Sequence, residues 1–303
     1  MVRAYEALRR FWPRSVGEKY KGMNIMAAKR AGKPEKRFQE YLVRETADAR
    51  QLNDYIKSPA TALLRYLVDA SSAVAHCRNK FTKNLDGNYN KDSQDSLRIL
   101  SAALLGTIMG HFETFQRSLF AGVFEHSRFL KHFDVAKFFR SESLENTVLD
   151  LPRLSAYRGE PASIGLVLAD ALKGWHNPDL VNKYFQAFQI KMNFFSNEDK
   201  DSLRILWQLR HSIVHTGAWL SIPDAQKVPE LLPFANSPLV FQDTFIQAVC
   251  RKLHPLVQNA AIRLHDALKS EISSGATPAD IESIKELCRA ESINTSWLSQ
   301  PES

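Results

Sequence analysis

The run Leu209-Arg210-His211-Ser212-Ile213-Val214-His215-Thr216-Gly217 crowds several chemically capable side chains into one short stretch. Its outline is Arg, four residues, His. A guanidinium keeps its proton near neutral pH, whereas an imidazole loads or unloads one there, so Arg210 and His215 pair a permanent anion clamp with a proton shuttle. Phosphodiester cleavage needs both, and the pair points to RNA cleavage. His211 and His215 also stand four apart, a spacing that puts two imidazoles on one helical face and can bind zinc. The zincin form requires Glu at 212, where this chain has Ser212, and no third ligand is near, so no metal is expected. A plainer reading is that Arg210 and His215 complement the dipole at a helix C-terminus.

The elements that must carry these residues read as helices. Ser196-x-x-Asp199 is a variant capping box leading into Leu203, Leu206, Trp207, Ile213 and Val214, which places the motif at the far end of a helix begun at Ser196. Residues five apart in a regular helix lie about 140° apart around the axis, so Arg210 and His215 would not share a face. Either the helix is distorted there or the two converge across a subunit contact.

Ser58-Pro59 opens a helix running to Phe81, and Thr82 to Asp92, with Asp86-Gly87-Asn88, is a loop. The longest helix starts at Ser93 and carries Leu97, Leu100, Leu104, Ile108, Phe112, Phe115, Leu119 and Phe120 mostly at spacings of three and four, as a central core helix should. Shorter helical pieces are expected at 129–139, 143–150, 162–173 and 177–192, with Tyr157-Arg158-Gly159-Glu160-Pro161 as a break. Pro223, Pro229, Pro233 and Pro238 make an extended loop after the motif. A last core helix spans 241–272 with a kink at Pro255, and Thr277-Pro278-Ala279-Asp280 opens a short terminal one. No run alternates as a strand should and no repeat is found, so the fold class is all-α.

Arg210 to His215, with a polar residue after the Arg and Val-His-x-Gly closing the run, resembles the signature of the HEPN superfamily. The long upstream helix, with His111-Phe112-Glu113-x-Phe115, is similar to the helix packed beside that motif in HEPN ribonucleases, and the resemblance covers residues 93 to 270. It implies a HEPN-like helical bundle, here with helical N- and C-terminal extensions. It divides the chain into a basic extension at 1–57, the helical domain at 58–272 and a C-terminal helix and tail at 273–303. It further implies a twofold homodimer whose motifs face each other in one cleft, and a metal-independent endoribonuclease leaving 2',3'-cyclic phosphate and 5'-hydroxyl ends. His215 would be general acid or base and Arg210 would hold the scissile phosphate. His211 would orient it, and Glu113 would pair with Arg210 to fix its geometry. The alternative for Glu113 is an exposed helix charge, and His111 is a weaker candidate still.

Composition sets the frame. At 303 residues, 44% hydrophobic and 24% charged, the chain can bury a substantial core. Cys77, Cys250 and Cys288 are far apart, odd in number and without CxxC spacing, which argues against a disulfide framework and fits a reducing cytoplasm. No window approaches the roughly 18 to 20 apolar residues of a membrane span and no secretory signal is present, so a soluble cytoplasmic protein is expected. Arg3, Arg9, Arg10 and Arg14 suggest a transit peptide, but Glu6 and Glu18 interrupt it.

The net charge of +7 sits entirely in residues 1 to 50, where 13 Lys and Arg face 6 Asp and Glu. Lys29, Arg30, Lys33, Lys36 and Arg37, with Tyr20 and Phe38 interleaved, could attract RNA by counterion release, or could form a solvated basic arm. Trp219, just past the motif, is the best aromatic for contacting a nucleotide, while Trp175 and Trp207 read as packing. No Gly-rich phosphate loop, Gly-x-Ser-x-Gly elbow or CxxC is present, which leaves nucleotide hydrolysis, serine hydrolysis and thiol redox chemistry unsupported, and no cofactor is expected.

The expected function is therefore an RNA-cutting toxin or antiviral effector, with an antitoxin or other regulatory protein as a possible partner. A non-catalytic HEPN-like module that holds RNA or protein, and an all-α dimerisation scaffold, are the competing readings.

Overall fold

Contacts divide the chain into two units, residues 1–49 and 50–303. The computed structural model describes residues 37–41, 52–141 and 163–292, with isolated positions at 143–145, 147, 155 and 298. Among the described residues of the first unit a 3-10 turn spans Phe38–Tyr41, and Arg37 is exposed. Lys29, Arg30, Lys33 and Lys36 lie outside the described residues, as do most of the helix expected at 143–150 and the whole of the break at 157–161.

The second unit opens with α1 (Leu52–Lys57) and α2 (Pro59–Lys80). Pro59 takes the first helical position, where its missing N–H costs nothing. Ser58 precedes it but does not cap α2. Its hydroxyl lies 3.1 Å from both Thr61 Oγ1 and the Arg289 carbonyl oxygen, and Thr61 Oγ1 donates to the same carbonyl at 3.0 Å. The start of α2 is thereby tied to a residue more than two hundred positions downstream. Helix α1, expected in the N-terminal extension, packs on α2 and on α3 (Lys91–His126).

Helix α3 begins two residues earlier than expected, because Asn90 is its N-cap: the side chain accepts from Ser93 N at 2.9 Å. Leu105, Ile108, Met109, Phe112, Phe115, Leu119, Phe120 and Val123 are all fully buried along it. Each buried Leu or Phe contributes about 2 to 3 kcal/mol, so this one helix carries a large part of the core. It packs against α2, against α5 (Ile164–Ala171) and against α7 (Asn197–His215).

Between them lie α4 (Val135–Phe139) and α6 (Pro178–Gln186), which is shorter than the 177–192 expected. The contact of α5 with α3 depends on Gly165, where a Cβ would stand 2.4 Å from the Ala121 carbonyl oxygen. The Gly165 N–H there donates to Glu125 Oε1 at 2.6 Å.

After α7 the Pro-rich stretch is ordered rather than merely extended. Two short strands, β1 (Trp219–Leu220) and β2 (Ser237–Pro238), pair antiparallel, with α8 (Ile222–Ala225) and a 3-10 helix over Pro229–Phe234 between them. Helix α9 (Phe245–Glu271) runs through Pro255, and α10 (Pro278–Leu287) starts on the full capping box of Thr277 and Asp280. Helix α10 packs on α3 and α1. The fold class is all-α, with the two-residue strands as its one small sheet among the described residues. No helix among those residues is long and apolar enough to cross a membrane.

Candidate functional site

Helix α7 is fastened at both ends. At its start Ser196 Oγ accepts from Asp199 N at 3.1 Å and Asp199 Oδ2 accepts from Ser196 N at 2.9 Å, the reciprocal capping box. The same carboxylate takes Arg263 of α9 at 2.7 Å, and that guanidinium also donates to the Phe194 carbonyl. Leu203, Leu206, Trp207, Leu209 and Ser212 turn into the core.

At its end, the Ser212 carbonyl collects Thr216 N at 3.1 Å, Thr216 Oγ1 at 2.8 Å and Ala218 N at 3.0 Å. Those bonds satisfy a carbonyl left open where the helix stops. Gly217 (φ +64°) and Ala218 (φ +65°) then adopt left-handed backbone and turn the chain into β1. Thr216 Oγ1 also donates to the Trp219 carbonyl, and Leu239 N donates to the Ala218 carbonyl at 2.7 Å.

The helix is unbroken from Asn197 to His215, which overturns local distortion as a way of joining Arg210 and His215. Within one chain the two point about 140° apart. Arg210 is half-buried, and its Nε is buried without a hydrogen-bond partner among the described residues. Glu113 does not supply one. It pairs with Arg117 at 2.9 Å on its own helix, and Arg117 reaches Asp170 of α5 at 3.3 Å, so this carboxylate helps dock α5 on α3. The expected Glu113 to Arg210 pair is replaced by an i,i+4 pair that needs no fold to form. His111 is likewise structural: its Nδ1 meets Tyr55 OH at 2.7 Å, and its ring stacks on Tyr66 with centroids 3.7 Å apart.

His215, the last helical residue, is exposed, and the His211 ring lies 4.7 Å from it. His211 Nε2 stands 3.8 Å from Asp224 Oδ1 of α8. Burial pushes the His211 pKa below its ordinary 6.5. Asp224 opposes that shift, and His215, Lys227 and Arg210 reinforce it. Asp224 is itself held below the usual carboxylate range by hydrogen bonds from Lys227 (2.8 Å) and Ser221 (2.8 Å). An imidazole biased towards its neutral form is available to accept a proton near pH 7.

Trp219 is 43% exposed and sits opposite Pro238 in the strand pair, with Val214 (52%) and Ile222 (50%) also exposed nearby in sequence. Trp175 and Trp207 are buried, as their packing role requires. Among the described residues no group of three or more His, Cys, Asp or Glu is arranged to hold a metal ion.

Several residues at this end of α7 escaped sequence reading. Gln208, Arg204, His176 and Lys227 line a cleft with His211. Two signals pointed there: Ser221-x-x-Asp224 is a helix start within the Pro-rich stretch, and Arg204, Gln208, His211 and His215 follow spacings of four, three and four. No family model, no curated protein and no solved structure matches the chain.

Proposed function

We propose that the chain is a metal-independent endoribonuclease of the HEPN type. The observation that carries this reading is that one regular helix ends in an exposed His215, with a second imidazole 4.7 Å away and an arginine whose Nε has no hydrogen-bond partner among the described residues. A neutral imidazole takes the proton from a ribose 2'-hydroxyl. The O2' then attacks the adjacent phosphorus and the P–O5' bond breaks. A protonated imidazole gives its proton to the departing O5', leaving a 2',3'-cyclic phosphate and a 5'-hydroxyl. Arg210 meets the charge that gathers on the phosphoryl oxygens.

Arg210 and His215 face different directions on one helix, so a twofold homodimer is the arrangement that lets one protomer's arginine serve the other's histidine. The exposed apolar side chains Val214, Trp219 and Ile222 beside the motif suit such a contact. His211, with its lowered pKa, fits the base and His215 the acid. A toxin or antiviral effector, silenced by an antitoxin or other regulatory protein, is the biological role proposed for such an activity, with RNA as its substrate and the cytoplasm as its place.

The test is incubation of total RNA with wild type and His215→Ala in excess EDTA, with product ends mapped. Cleavage by wild type alone, leaving cyclic phosphates, supports the reading. Intact RNA with both proteins, or equal cleavage by both, overturns it, and RNA retained without cleavage favours the non-catalytic binding module.

A further inference from the structure

Alongside α7 lies an open cleft of about 390 Å³, walled by His176 and the start of α6 on one side and by Lys227 on another. We propose that this cleft binds a single nucleotide of the RNA beside the cleaved bond, with adenine as its base. The place of that nucleotide in a reaction rests on the ribonuclease reading, but the chemistry of the cleft does not.

Position comes first. Arg204, Gln208, His211 and His215 fall within about 60° of arc on α7, at 3.6 residues per turn. The first three line the cleft, and the fourth is the exposed histidine one turn beyond. A strand seated in the cleft therefore runs on towards His215. The volume is at the lower end of the range for ligand pockets, which starts at about 300 Å³.

Charge then decides what kind of group it takes. Asp179 already holds Lys200 at 2.9 Å and Arg204 at 2.6 Å, and Asp224 holds Lys227 at 2.8 Å. Cations neutralised in this way do not make a bare phosphate site, and the interior is suited to a flat, uncharged partner. His176 is exposed and sits edge-on to Trp207, with centroids 6.3 Å apart at 72°. That imidazole offers a face on which a base can stack.

Gln208 supplies the reading group. It is 8% exposed, yet its amide makes only one hydrogen bond among the described residues, a long one of 3.5 Å from Nε2 to Ser212 Oγ. A ligand that completes it gains those hydrogen bonds. The free carbonyl oxygen and second N–H form an acceptor and donor side by side. Adenine presents the complement, an amino donor next to a ring-nitrogen acceptor, whereas the matching edge of guanine carries two acceptors. Lys227, whose side chain is 59% exposed, has N–H donors beyond the one given to Asp224 and can meet the phosphate at the cleft mouth.

The experiment is a titration of full-length wild type and His215→Ala with AMP, GMP and adenosine, followed by NMR of the Trp207 indole N–H. AMP should move that signal in both proteins, and GMP should bind about tenfold more weakly. Gln208→Leu should weaken AMP about tenfold and remove the preference over GMP. Lys227→Ala, at an exposed position that does not endanger folding, should weaken AMP and leave adenosine unchanged. An indole signal unmoved by AMP, or AMP bound equally by wild type, Gln208→Leu and Lys227→Ala, overturns the subsite. The two proposals fail separately: AMP binding of this kind with RNA left intact keeps the subsite and ends the ribonuclease reading. Cleavage of RNA with Trp207 untouched by AMP ends the subsite alone.

Discussion

The rings of His211 and His215 lie 4.7 Å apart on successive turns of α7, and Asp224 approaches the first of them at 3.8 Å. A proton on His215 disfavours one on His211, while the Asp224 carboxylate favours it. His215→Ala should therefore raise the His211 pKa, and Asp224→Asn should lower it further. NMR titration of the imidazole signals checks both, and identical curves for wild type and the two variants would show the coupling to be absent.

Acid should weaken the fold. Burial lowers the pKa of His126 and His254 as well as that of His211. The unfolded chain thus binds these protons more readily than the folded one. Their share of stability is complete above about pH 6.5 and is lost as the pH falls below it. Melting temperature is expected to be flat from pH 7.5 to 6.5 and to drop towards pH 5. A melting temperature that rises on acidification would contradict the assignment.

Gly217 and Ala218 adopt nearly the same left-handed backbone, yet only one of them is a glycine. Ala218→Gly should stabilise the protein by about 0.5 to 1 kcal/mol, the strain relieved less the entropy glycine loses on folding. Gly217→Ala meets no atom within 4 Å, so its cost is conformational alone, about 1 kcal/mol. Urea denaturation of the two variants reads the opposite signs.

Gly165→Ala is a different case, because the obstacle is main chain. Its Cβ would stand 2.4 Å from the Ala121 carbonyl oxygen, which cannot rotate away, so α5 must lift off α3. A loss of about 2 to 4 kcal/mol is expected in urea denaturation. Exchange of the Gly165 amide, now bonded to Glu125, should accelerate along with it.

Asp199→Ala removes half of the capping box and the partner of Arg263 in one step. A loss of about 2 to 3 kcal/mol is expected in the same measurement, against about 1 kcal/mol for Ser196→Ala, which removes only the side-chain cap.

What the sequence made legible was local. Ser196 with Asp199 and Thr277 with Asp280 announce their helices because cap and partner are three residues apart. The apolar series on α3 is periodic enough to mark a core helix. Glu113 with Arg117 was equally local, and was passed over for a partner a hundred residues away. Asn90 was missed because Ser93, an equally good cap by type, stands inside the same turn. The Ser58 to Arg289 tie depends on how α2 and α10 pack, and the Gln208 cleft and the approach of Asp224 to His211 on how α6, α7 and α8 pack. No spacing rule encodes that packing. Two-residue strands such as Trp219–Leu220 are too short to show any alternation.

Because α7 is bolted to Arg263 at one end and to the β1 turn at the other, it behaves as a ruler of fixed phase, about 28 Å long for the 19 residues from Asn197 to His215. Its useful face is written every third or fourth residue. A single residue added or removed between Arg204 and Gln208 would turn Gln208, His211 and His215 about 100° away from Arg204. The register of this one helix is therefore held to the residue.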